Sequence, residues 1–94
     1  MRQMTEAEKL FDQVLEKYGA ANQMVKCMEE MSELTKEVCK AYYGQIDREH
    51  IAEEIADVEI MLEQMVQLFQ LKSGVILQRT FKLKRLAERV EDKA

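Results

Sequence analysis

The sequence predicts an all-α fold, a four-helix-type bundle in a single domain over residues 1–94. Two observations carry that expectation. Proline is absent and glycine occurs only at Gly19, Gly44 and Gly74, so the chain has few places to turn and falls into four segments. Within the segments, apolar residues recur at steps of three and four, the period of one helix face. With 94 residues, 47% apolar and 34% charged, the composition is that of an ordered domain. Its size is near the lower end of what folds around one core.

The first helix is expected from about Glu6 to Tyr18. Thr5 and Glu8 have the spacing of a capping box, which satisfies free amides at a helix start. Leu10, Phe11, Val14, Leu15 and Tyr18 form the apolar stripe, and Gly19 ends the helix or allows a sharp join to the next. The second helix is expected from about Ala21 to Tyr43, closed by Gly44. Its predicted seam is Met24, Cys27, Met31, Leu34, Val38 and Ala41, with Gln23, Lys26, Glu30 and Glu33 on the flank beside it.

The third helix is expected to start after Asp47, an N-cap residue, and to continue to about Leu71. Its seam reads Ile51, Ile55, Val58, Leu62, Met65 and Phe69. Glu54 projects inside this apolar arc and Asp57 lies at its edge, yet a charged residue on an inward face is rarely left unpaired. Ser73 and Gly74 are expected to form the last turn. The fourth helix follows from about Val75 to Glu91, facing inward with Ile76, Leu83, Leu86, Ala87 and Val90. Lys82, Arg85 and Arg89 make a basic stripe on its flank.

Two short acidic stretches organise the chain, Glu29-Glu30-Met31-Ser32-Glu33 and Glu53-Glu54-Ile55-Ala56-Asp57. In each, a carboxylate pair three residues apart shares one helix face: Glu30 with Glu33, and Glu54 with Asp57. Glu33 is about ten residues before the end of its helix and Asp57 about nine after the start of the next, so an antiparallel hairpin sets them at nearly one height. Four carboxylates in a mostly dry site need a cation, or some must be protonated.

Hard oxygen donors on a rigid frame suit Mg²⁺, with Mn²⁺ as the alternative, shared with substrate phosphates. Lys26, Lys82 and Arg85 are the candidate substrate-binding residues, and an unligated carboxylate is a candidate general base. The plainer reading of the acids is solvated helix-face charge, and of the basic stripe, an offset to the helix dipole. Tyr42 and Tyr43 at the hairpin tip either stack on a base or cap the core. The seven methionines read as core filler. His50, the single histidine, reads as a surface or packing residue of a helix start. With no Glu-x-x-His pair, the chain does not fit a di-iron carboxylate bundle.

The motifs Glu30-x-x-Glu33 and Glu54-x-x-Asp57, with twenty residues between them, resemble those of the MazG-like nucleoside triphosphate pyrophosphohydrolases, the all-α NTP-PPase superfamily. Tyr18-Gly19 and Gln23 before the first motif, Leu34 after it and Val58 after the second extend the likeness, which covers roughly residues 10 to 90. The resemblance implies Mg²⁺-dependent hydrolysis between the α and β phosphates of a (deoxy)nucleoside triphosphate, giving the monophosphate and pyrophosphate. It implies that Glu30, Glu33, Glu54 and Asp57 hold the metal between helices 2 and 3 and act in catalysis. By position, Lys82 and Arg85 match basic residues that reach the phosphates. Where the family commonly has an asparagine three residues before such a lysine, this chain has Arg79. A homodimer or homotetramer completing the site is implied too, and the small core argues the same way.

Net charge of −4 disfavours non-specific nucleic-acid binding, and no stretch is apolar enough for a membrane span or a signal peptide. Cys27 and Cys39 would sit about 18 Å apart on one helix, too far to bond, and two reduced thiols suit the cytoplasm. The expectation is therefore a cytoplasmic nucleotide-pool hydrolase. The alternative is a catalytically inactive helical bundle that binds partner helices through its Met-rich surface.

Overall fold

The computed structural model describes residues 3–92, which form four helices and no strand. They are α1 (Glu6–Tyr18), α2 (Ala20–Tyr42), α3 (Arg48–Leu68) and α4 (Lys72–Glu91). Local chemistry sets most of the boundaries. The Thr5–Glu8 capping box forms, with the Thr5 N–H donating to Glu8 Oε1 at 2.8 Å and the Glu8 N–H to Thr5 Oγ1 at 3.1 Å. Asp47 caps α3 by accepting the His50 N–H at 3.0 Å. Gly19, at φ 87° and ψ 152°, is both the last cap of α1 and the first of α2, in a backbone region open essentially to glycine alone.

The ends of α2 and α3 close in the same way. Gly44 turns left-handed at φ 92°, and the Gln45 N–H reaches back to the Lys40 carbonyl at 2.9 Å. Gln70 does the same at φ 55°, with the Leu71 N–H on the Val66 carbonyl at 2.8 Å. Both are Schellman closures that satisfy carbonyls left open at a helix end. The second corrects the expected turn at Ser73 and Gly74. α3 stops at Leu68, a glutamine takes the strained position, and Gly74 lies in the first turn of α4.

α2 and α3 are an antiparallel pair and form the body of the structure. Gln23 lies opposite Gln64, Glu30 opposite Asp57 and Glu37 opposite His50. Each seven-residue step along α2 is matched by seven back along α3, so three polar layers recur at a heptad spacing. This rotates α2 from its predicted seam. The inward residues are Gln23, Cys27, Glu30, Leu34, Glu37 and Ala41, while Met24, Met31 and Val38 are exposed. The rotation follows from pairing. Gln23 Nε2 donates to Gln64 Oε1 at 2.7 Å in a buried site, and Glu37 is 3% exposed with its charge met by the Lys40 ammonium. A methionine in either place would leave the partner's polar group dry and unmet.

α1 lies across this pair and buries Phe11. Gln67 Nε2 ties it to α3, donating to the Glu8 carbonyl at 2.8 Å and to Asp12 Oδ1 at 2.6 Å. Phe11, Cys27, Val58 and Met61 are the buried apolar side chains among the described residues. α4 corrects the expectation of an inward fourth helix. Among the described residues it packs only on α3 and buries none of its own, and Ile76, Leu83, Leu86, Ala87 and Val90 are all exposed. The radius of gyration is 16.6 Å, against about 12 Å for a compact chain of this length. The cause is α4, whose apolar stripe finds no facing surface among the described residues.

Candidate metal centre

The middle polar layer carries the acids. Glu30 comes from α2, and Glu54 and Asp57 from successive turns of α3. Oxygen atoms of these three carboxylates lie within 4.8 Å of one another. Glu54 is 7% exposed, while Glu30 and Asp57 are half-buried. Three like charges this close, partly screened from water, repel strongly unless a cation or protons offset them.

Glu54 registers that cost. Burial raises its pKa above the usual glutamate value of 4.5, against the pull of His50, and the charges of Asp57, Glu30 and Glu33 add to the rise. Its two oxygens have different surroundings. Oε1 lies 3.2 Å from His50 Nε2, whereas Oε2 is buried with no hydrogen-bond partner among the described residues. An orphaned buried carboxylate oxygen beside two further carboxylates fits a hard divalent cation such as Mg²⁺ or Mn²⁺. Glu30, Glu54 and Asp57 are placed to hold one, and His50, Glu53 and Glu54 form a second group whose ligand atoms also lie within 4.8 Å of one another, sharing Glu54 with the first.

The other expected site residues have different positions. Glu33 is exposed and stands outside the group of three, though its charge reaches Glu54. Lys26 Nζ pairs with Glu30 Oε1 at 3.4 Å, which places a cation at the rim of the acidic layer. Lys82 and Arg85 are exposed on α4, which makes no contact with α2, so the single chain does not gather them at the acids. Tyr42 and Tyr43 do not cap the core. They are 82% and 75% exposed, edge to face with ring centres 4.9 Å apart. A cleft of about 940 Å³ between α1, α3 and the start of α4 is lined by Phe11, Ile60, Val66 and Val75 and by none of the four motif acids.

Two residues of the neighbouring layer were not legible as functional in the sequence. Glu37 Oε1 lies 3.2 Å from His50 Nδ1, and Glu37 Oε2 lies 3.2 Å from Lys40 Nζ. His50, half-exposed in the first turn of α3 as expected for a residue of a helix start, thus also bridges Glu37 and Glu54. The available signal was spacing. Glu30, Glu33 and Glu37 follow steps of three and four, as do His50, Glu54 and Asp57. Cys27 is buried, Cys39 is exposed, and both are free thiols. Among the described residues no helix is long and apolar enough to cross a membrane. Against known protein families, curated proteins and solved structures, the chain finds no match.

Proposed function

We propose that this chain is a MazG-like nucleoside triphosphate pyrophosphohydrolase, dependent on Mg²⁺ or on Mn²⁺ in its place, acting in nucleotide-pool housekeeping in the cytoplasm. One observation carries the reading: Glu30 of the first acidic motif meets Glu54 and Asp57 of the second across α2 and α3, and the buried Oε2 of Glu54 is left without a partner beside them among the described residues. A divalent ion bound there would neutralise triphosphate oxygens and lower the pKa of a coordinated water.

The chain's own residues divide the remaining work. Glu30, Glu54 and Asp57 hold the charge that recruits the ion. Glu33, exposed on the same turn as Glu30, is the fourth acid, free to complete the ligand set or to take a proton from the attacking water. Attack at the α phosphorus with the β-phosphate oxygen leaving yields the monophosphate and pyrophosphate. Lys26 faces incoming phosphate from the rim. Lys82 and Arg85 contribute from the α4 of a second copy, an arrangement supported by the exposed Phe81, Leu83 and Leu86 on that helix and by the expanded single chain.

The test is incubation with a panel of canonical and modified NTPs and dNTPs and Mg²⁺, separating pyrophosphate from orthophosphate. Pyrophosphate release from a subset, abolished by EDTA and by Asp57→Asn, is the expected outcome. Orthophosphate alone would overturn the assigned bond, and no turnover across the panel would favour the second reading. That reading is a catalytically inactive helical interaction module, and the unburied apolar stripe of α4 is the feature that favours it. Calorimetry separates the two, because an interaction module shows no coupled binding of metal and a non-hydrolysable nucleotide.

A further inference from the structure

Glu54 faces a conflict that the other acids of its layer do not resolve. It is the buried carboxylate of the acidic layer, and Asp57, Glu30 and Glu33 all oppose its charge. A glutamate has three side-chain torsions, so repulsion alone would turn it away from the other acids. What holds it is a chain of contacts running toward the hairpin tip. Lys40 Nζ lies 3.2 Å from Glu37 Oε2, Glu37 Oε1 lies 3.2 Å from His50 Nδ1, and His50 Nε2 lies 3.2 Å from Glu54 Oε1. The two middle members of the line are held in place. Glu37 is 3% exposed on α2, and the backbone of His50 is capped by Asp47 at 3.0 Å.

We infer that His50, anchored by Glu37, is a positioning residue that engages one oxygen of Glu54 and thereby aims the other at the metal position between Glu30 and Asp57. The inference rests on the proposed metal role of the acidic layer. The division of atoms carries it. Both oxygens of Glu37 and both ring nitrogens of His50 have partners, and the one carboxylate oxygen left over along the line is Oε2 of Glu54. An outer group that fixes the rotamer of a metal-binding carboxylate typically contributes about 10–100-fold to metal affinity.

The experiment measures Mn²⁺ binding by calorimetry to the wild-type chain and to His50→Ala, His50→Gln, His50→Asn, Glu37→Ala and the alanine double variant. A glutamine amide nitrogen takes the place of Nε2 and reaches Glu54, whereas an asparagine nitrogen takes the place of Nδ1 and reaches Glu37. The expected result is a loss of about 10–100-fold for His50→Ala and His50→Asn, and recovery of most of it in His50→Gln. Glu37→Ala is expected to weaken binding, with no further loss when combined with His50→Ala, because the two act in one line. The Gln and Asn variants keep a donor and similar bulk, so they decide the matter even where an alanine variant does not fold.

Equal Mn²⁺ affinity in wild type, His50→Gln and His50→Asn would overturn the inference and leave the metal centre standing. Strong nitrogen-14 coupling to bound Mn²⁺ in pulsed electron paramagnetic resonance would also overturn it, by making His50 a ligand. No Mn²⁺ binding to the wild-type chain would remove the metal reading and the inference with it.

Discussion

Phe81→Ala distinguishes a solitary α4 from one packed against a second copy. Phe81 is 58% exposed, so about two fifths of its surface is hidden within the chain. Full burial of a phenylalanine is worth about 1.5–3 kcal/mol, which leaves roughly 1 kcal/mol at stake if the chain acts alone. At about 4–8 °C per kcal/mol for a domain this small, the melting temperature would fall by a single such step. If α4 instead packs in a dimer, truncating the ring empties a core position and costs about 3–5 kcal/mol, a fall of at least about 12 °C. The dimer also makes the melting temperature rise with protein concentration. Thermal unfolding followed by circular dichroism, at two concentrations a hundredfold apart, reads both effects. We expect the larger, concentration-dependent fall. A drop of a few degrees, identical at both concentrations and with a monomer mass in sedimentation, would refute the reasoning. It would also leave Lys82 and Arg85 without a route to the acids.

Glu54→Gln is expected to stabilise the metal-free protein at neutral pH while abolishing hydrolysis. The folded pKa of Glu54 lies above its usual 4.5, so the native state binds more protons than the unfolded chain between the two values. Stability therefore falls as pH rises through that window, and below about 4.5 the difference between variant and wild type closes. Chemical denaturation of both proteins from pH 4 to pH 8 in EDTA checks the sign; a constant gap over that range would contradict it. Gln70→Gly is expected to raise stability by about 1 kcal/mol, because a side chain in the left-handed region is strained there. Gly74→Ala, where an added Cβ meets nothing within 4 Å, is expected to add about 0.5 kcal/mol. Urea midpoints at unchanged slope measure both.

Four helices, the Thr5–Glu8 box, the Asp47 cap and the Gly19 and Gly44 breaks were legible in the sequence. Each depends on residues within one or two turns of each other, so the chain specifies it locally. Glu54 was legible for the same reason, since its place inside an apolar arc is a matter of helical spacing alone. Counting residues on either side of a short hairpin brought the two motifs to one region but set Glu33 level with Asp57; in the structure Glu30 takes that place and Glu33 stands exposed outside the group.

Tertiary structure decided which stripe of α2 turned inward. Met24, Met31 and Val38 and their neighbours Gln23, Glu30 and Glu37 are adjacent rows of one helix, and hydrophobicity favours the first. The second row won because α3 presents Gln64, Asp57 and His50 at the matching heptad steps. That outcome made His50 a bridge and Glu37 its anchor, neither visible from one helix at a time. The turn after α3 fell at Gln70, where two closing hydrogen bonds outweighed the preference for Gly74. For α4 the sequence by itself determined a helix with an apolar stripe, and the fold of one chain offered that stripe no surface. Local rules set what each segment is, but a side chain's burial depends on what stands opposite, and that is a property of two segments together.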